Sequence, residues 1–126
     1  MKIIRNNIIP FSGYKCINLF GILFARKKAK IDKATLNHES IHSAQIAEVM
    51  IASVPFALLL WLLTNLWLGL LLVIASYYLW YVIEWLIRLP KGNAYKNISF
   101  EREAYANENY SDYLNERKLF AFLEYL

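Results

Sequence analysis

Hydrophobic and polar positions divide the 126-residue chain into three blocks. The middle block, 49–83, runs for 35 positions without Asp, Glu, Lys, Arg or His. One helix needs about 20 apolar residues to cross the hydrocarbon core, so this run is too long for one span and sufficient for two. It predicts a helical hairpin that turns in "LLTNLWLG", where Thr64 and Asn65 interrupt two leucine-rich arms and Gly69 follows. The first arm, 49–63, extends a helix that starts near Lys33 with Asp32 as its N-cap. It contains Pro55, which membrane helices tolerate when neighbours re-satisfy the freed carbonyl. The second arm, 66–89, is the cleaner span, and Trp61, Trp67, Tyr77, Trp80 and Trp85 gather toward its ends as interfacial aromatics do.

The flanking blocks are more polar. "KIIRNNII" and "INLFGILFA" read as two strands separated by the turn-prone "PFSGYK". After the hairpin, "NISFEREAYANENYSDYLNERKLFAFLEYL" resumes helical periodicity, with Ser99 as a cap and a second helix near its end. The chain thus reads as a single domain: a β element over 1–32, a helix over 33–63 that becomes the first span, a second span over 66–89, and terminal helices over 97–126. At 58% hydrophobic residues and a mean hydropathy of +0.29, it is too apolar for an ordinary soluble protein of this length. The fold class expected is a mainly α membrane protein with a small N-terminal β element.

Charge sets the orientation. Arg26, Lys27, Lys28, Lys30 and Lys33 precede the hairpin, Arg88, Lys91 and Lys96 follow it, and its tip is uncharged. The positive-inside rule then places both termini in the cytoplasm. The net charge of +4 is accounted for by topology and by anionic lipid, so the lipid bilayer and not nucleic acid is the expected partner. The N-terminal stretch has no apolar core of the kind a cleavable signal carries. The lone Cys16 has no disulfide partner and is expected to be an inert, half-buried thiol.

Both histidines of the chain lie in "NHESIHSAQ". On a helix, His38 and His42 are one turn apart on one face and converge on one metal ion, with Glu39 beside them to hold water. This is the HExxH pattern of zinc hydrolases, in which zinc acidifies a water, the glutamate takes its proton and the resulting hydroxide attacks a polarised peptide carbonyl. For this composition, chance supplies the pattern about once in a thousand chains. The competing reading is a pair of interfacial histidines that cap carbonyls or anchor to headgroups.

A catalytic zinc site keeps three protein ligands and one open position, and with no third histidine the third ligand must be a carboxylate. Among the candidates, Glu84 is spaced to pair with Arg88, Glu101 suits the dipole at a helix N-terminus, and Glu48 lies more than a turn beyond His42. Glu103 and Glu108 remain. Arg102, Tyr105, Tyr110 and Arg117 are candidates to stabilise the oxyanion, each with an ordinary surface or packing role as the alternative.

Taken together, "GILFARKKAKIDKATLNHESIH", the two-span hairpin and "FEREAYAN" resemble the core of the membrane-embedded gluzincin metallopeptidases, which include the heat-shock membrane protease, the CAAX prenyl protease and the antibiotic-sensor metallopeptidases. The resemblance covers roughly residues 15–110 and implies a bacterial cytoplasmic membrane, a Zn2+ cofactor and peptide or membrane-protein substrates. It implies His38, His42 and Glu103 as metal ligands, Glu39 as general base, and "INLFGILFA" as an edge strand that pairs with substrate. Asn107 stands where the family has an acidic residue that orients a zinc-bound histidine, so it would act through its carbonyl oxygen without the charge. The chain is smaller than the larger relatives, so a second copy could complete a substrate chamber. The function expected is a zinc-dependent endopeptidase at the cytoplasmic membrane face, with a non-cleaving gluzincin-like scaffold as the alternative.

Overall fold

The computed structural model describes residues 1–11, 13–64, 67–89 and 92–126. Asn65, Leu66 and Lys91, which entered the readings of the tip, the second span and the charge map, lie outside the described residues, as do Ser12 and Pro90.

The N-terminal part forms three strands, β1 (Lys2–Asn6), β2 (Cys16–Leu19) and β3 (Ile22–Arg26), in the order β1-β3-β2. Here the sequence reading is corrected, because "INLFGILFA" is a hairpin and not one strand. Phe20 and Gly21 have φ of 53° and 79°, the paired positive values of a tight two-residue hairpin turn. Gly21 amide donates to Asn18 Oδ1 across this turn. β3 becomes the central strand, parallel to β1 and antiparallel to β2, and β2 alone is the edge next to the helices. β1 stops at Asn6 because its side-chain Oδ1 accepts the amides of Ile8 and Ile9 at 2.7 and 2.6 Å, which turns the chain.

Helix α1 (Lys33–Thr64) starts where the Asp32 carboxylate accepts the Thr35 amide at 2.8 Å, and it runs unbroken through Pro55. Helix α2 (Leu68–Arg88) returns beside it. The two arms approach closely at Gly69, where an added Cβ would lie 2.4 Å from the Ala57 carbonyl oxygen, and Trp61 stacks on Trp67 across the tip. Both helices are long and apolar enough to cross a membrane.

Helix α3 (Ser99–Asn107) and the short α4 (Tyr113–Glu116) are followed by a 3₁₀ turn, Ala121–Tyr125. Ser99 is not the cap. The capping position belongs to Ile98, while the Ser99 amide and hydroxyl both donate to Glu84, at 2.8 and 2.7 Å. Glu84 also holds Arg88 in the expected i, i+4 pair. The core lies where α1, α2 and α3 meet, built from Ile46, Val49, Tyr77, Ile98, Phe100 and Phe122. That core clamps the polar end of α1 against α3 and so positions the site.

Candidate metal centre

The helical turn from His38 to His42 brings the two Nε2 atoms to 3.0 Å, with the ring centroids 4.7 Å apart. Helix α3 supplies the carboxylate of Glu101. His38 Nε2 and His42 Nε2 each lie 3.5 Å from a Glu101 oxygen. All three residues are buried, and they form a group able to hold a metal ion.

Hydrogen bonding on the far side of each ring determines what the near side offers. His38 Nδ1 meets Glu108 Oε2 at 3.0 Å, and His42 Nδ1 meets Gln45 Oε1 at 2.8 Å. Both partners are acceptors, so each Nδ1 carries the proton and each Nε2 presents a lone pair. Two lone pairs and the Glu101 carboxylate thus converge, with the Tyr81 hydroxyl donating to Glu101 Oε1. Among the described residues, Glu101 Oε2 is the buried side-chain oxygen without a hydrogen-bond partner. Such a cluster could hold a cation.

The spacing also fits. His38 faces Oε2 and His42 faces Oε1 of the same carboxylate, and one ligand atom from each of the three residues lies within 4.8 Å of the others. Tyr81 donates to Glu101 Oε1 at 2.8 Å and anchors that side chain.

Glu101, and not Glu103, is therefore the carboxylate brought to the histidines. Successive helical residues are rotated by about 100°, so positions 101 and 103 point to nearly opposite faces of α3. Glu103 is fully buried and accepts hydrogen bonds from Gln45, Tyr113 and Arg117. Asn107 does not meet either histidine, because its amide nitrogen donates to the Glu103 carbonyl and the Tyr125 hydroxyl. The orienting carboxylate on His38 is Glu108, which reaches it because Asn37 gathers the carbonyls of Asn107, Glu108 and Tyr110. Glu48 pairs with Arg117.

Of the oxyanion candidates, Arg117 is buried between Glu48 and Glu103, Arg102 donates to the Tyr125 carbonyl, and Tyr110 donates to Glu116. Tyr105 packs edge-on against the His38 ring at 4.7 Å.

A cavity of about 420 Å³ opens on this centre. Glu39, His42 and Glu101 line it together with Cys16, Ile17 and Asn18 of β2, the apolar loop carrying Ile8 to Phe11, and Tyr77, Tyr78, Tyr81 and Tyr95. Asn18 ties β2 to α1 by donating to the Glu39 carbonyl at 2.6 Å, so the edge strand borders the cavity. The Cys16 thiol lies 3.4 Å from Glu39 Oε1, and burial followed by the Glu39 charge pushes it up to about 12. It is half-buried and protonated, as an inert thiol should be. Glu101, Gln45, Tyr81 and Glu108 acquire their places only when α3 folds against α1, and no local pattern distinguished them.

Comparison of the chain with protein-family models, with curated proteins and with solved structures returns no match.

Proposed function

We propose that this chain is a zinc-dependent endopeptidase working at the membrane surface, in the manner of a minimal gluzincin, with His38, His42 and Glu101 as the ligands. The observation that carries the reading is the convergence of these three buried groups, with His42, Glu101 and Glu39 lining one largely apolar cavity. When bound, zinc supplies Lewis acidity that acidifies a water and polarises the scissile carbonyl. Glu39, which lines the same cavity, would act as the general base toward a water held there and would carry its proton to the leaving amine. Tyr81 holds Glu101, while Glu108 and Gln45 hold the histidines in the tautomer that offers Nε2. The substrate is a peptide or membrane-protein segment lying extended along β2, with apolar side chains entering the cavity.

The hairpin supports the location. From His42 to Thr64 is 22 residues of helix, about 33 Å at 1.5 Å per residue. That length is close to a hydrocarbon core of about 30 Å and supports reading the centre as interfacial, away from the hairpin tip and, by the distribution of basic residues, on the cytoplasmic side.

The test combines elemental analysis of detergent-purified protein with a peptide-hydrolysis assay. About one zinc per chain is expected, lost in Glu101→Ala. Glu39→Gln should retain the zinc and lose activity by at least about 100-fold. Wild-type protein without zinc would refute the reading, and zinc without Glu39-dependent hydrolysis would leave the scaffold alternative.

A further inference from the structure

Glu103 is the most deeply buried carboxylate of α3, yet the proposed chemistry does not use it. Its side chain is bound from three directions. Gln45 Nε2 donates to Oε2 at 3.0 Å, Tyr113 hydroxyl donates to Oε1 at 3.1 Å, and the Arg117 guanidinium donates to both oxygens. Arg117 in turn bridges to Glu48 on α1, so the guanidinium is held between two carboxylates with its side chain only 4% exposed.

Gln45 is the link to the metal centre. An amide side chain can present its oxygen or its nitrogen to a given neighbour, and the neighbours decide which. On one side Gln45 faces two acceptors, the Phe100 carbonyl at 3.1 Å and Glu103 Oε2 at 3.0 Å. The nitrogen must point there. The oxygen is left to face His42 Nδ1 at 2.8 Å, and Tyr77 hydroxyl donates to the same oxygen at 3.4 Å. Tyr77 hydroxyl also lies 3.3 Å from His42 Nδ1 and, with its proton given to Gln45, can only accept there. Nδ1 carries the proton and Nε2 keeps the lone pair that a cation needs.

We infer that Glu103 is a positioning residue: held by Arg117, it locks the Gln45 amide so that His42 is kept as the Nδ1–H tautomer with Nε2 free for metal. The inference rests on the metal reading above for its purpose, but the lock is a property of the apoprotein. A carboxylate is required because it has no donor. In Glu103→Gln, Arg117 takes the new amide oxygen and the new NH₂ faces Gln45. Gln45 then turns its oxygen to that NH₂, giving up its own bond to the Phe100 carbonyl, and its NH₂ to His42, which forces the proton onto Nε2. Outer-shell partners of this kind typically change metal affinity by about 10–100-fold.

The experiment is ¹⁵N-detected histidine NMR on zinc-free, detergent-solubilised full-length protein at alkaline pH, beside zinc affinity from chelator competition. Wild type should show His42 protonated on Nδ1. Glu103→Gln should shift the proton to Nε2 and weaken zinc binding about 10–100-fold. Gln45→Met, of similar volume, should weaken zinc comparably, and the double variant should be no worse than the worse single variant. A wild-type Nε2–H tautomer, an unmoved tautomer in Glu103→Gln, or independent losses that add in the double variant would overturn the lock. Should Glu103→Gln fail to fold, unchanged zinc affinity in Gln45→Met would overturn it equally. Wild type that binds no zinc while showing the predicted tautomer pair would sink the peptidase reading and leave the lock standing.

Discussion

Helix α1 contains two regions that bury opposite kinds of residue. In its first half, His38, Glu39, His42 and Gln45 are buried, alternating with Ile41 and Ile46. Beyond Val49 only Ala57 is buried, while Ile51, Phe56 and Leu62 are 71%, 68% and 80% exposed. Buried polar groups are costly unless paired, and here partners from α2, α3 and the C-terminal segment surround them. Exposed large apolar side chains in a continuous helical hairpin are costly in water and free of cost in lipid. On the proposed reading, one helix serves two solvents, protein at one end and hydrocarbon at the other.

The comparison can be broken at its polar half first. Arg117→Met leaves the buried carboxylates of Glu48 and Glu103 uncompensated, and removing one partner from a buried pair costs about 3–5 kcal/mol. Thermal unfolding in detergent should show a large fall in Tm, and an unchanged Tm would mean that this end is not organised by its polar contacts.

The apolar half is tested by a charge at mid-span. At a water-exposed position, Ile51→Arg would change stability by only about 0.5 kcal/mol. At the centre of a membrane helix it costs about 2.5–3.5 kcal/mol. An insertion assay in microsomes should therefore show reduced membrane integration, and integration equal to wild type would argue that α1 does not cross a bilayer.

Cys16 sharpens the boundary between the halves with the smallest effect. Its thiol is pushed up to about 12, above an ordinary cysteine near 8.5, so the neutral form persists through the range where a free thiol ionises. Alkylation by iodoacetamide should stay slow at neutral pH and accelerate only toward pH 12. Labelling at the rate of a free cysteine would show that β2 does not bury the thiol against Glu39.

Much of this was legible in the residues themselves. Asp32 before a helical stretch marked the start of α1, the uncharged run marked two helices long and apolar enough to cross a membrane, and i, i+4 histidines marked two of the three groups that could hold a metal ion, because each signal is local and periodic. The third member of the candidate centre was not legible. Glu101 sits in the first turn of α3, where a carboxylate already has a sufficient reason to be, and Glu103 falls at the place a family motif would favour. Only packing separates them, since α3 meets α1 with the face carrying Glu101 toward His38 and His42, while Arg117 claims Glu103 from the other side.

By itself, then, the sequence determined the helical hairpin, the pairing of His38 with His42 and the neighbouring Glu39, because chain spacing alone places those groups. The tertiary structure decided the third carboxylate, the partners that set each imidazole tautomer, and the division of one strand-like run into β2 and β3. Those depend on contacts between residues up to 70 positions apart, such as His38 with Glu108. No local pattern encodes such contacts, because they exist only once the core around Phe100 and Phe122 has brought the ends of the chain together.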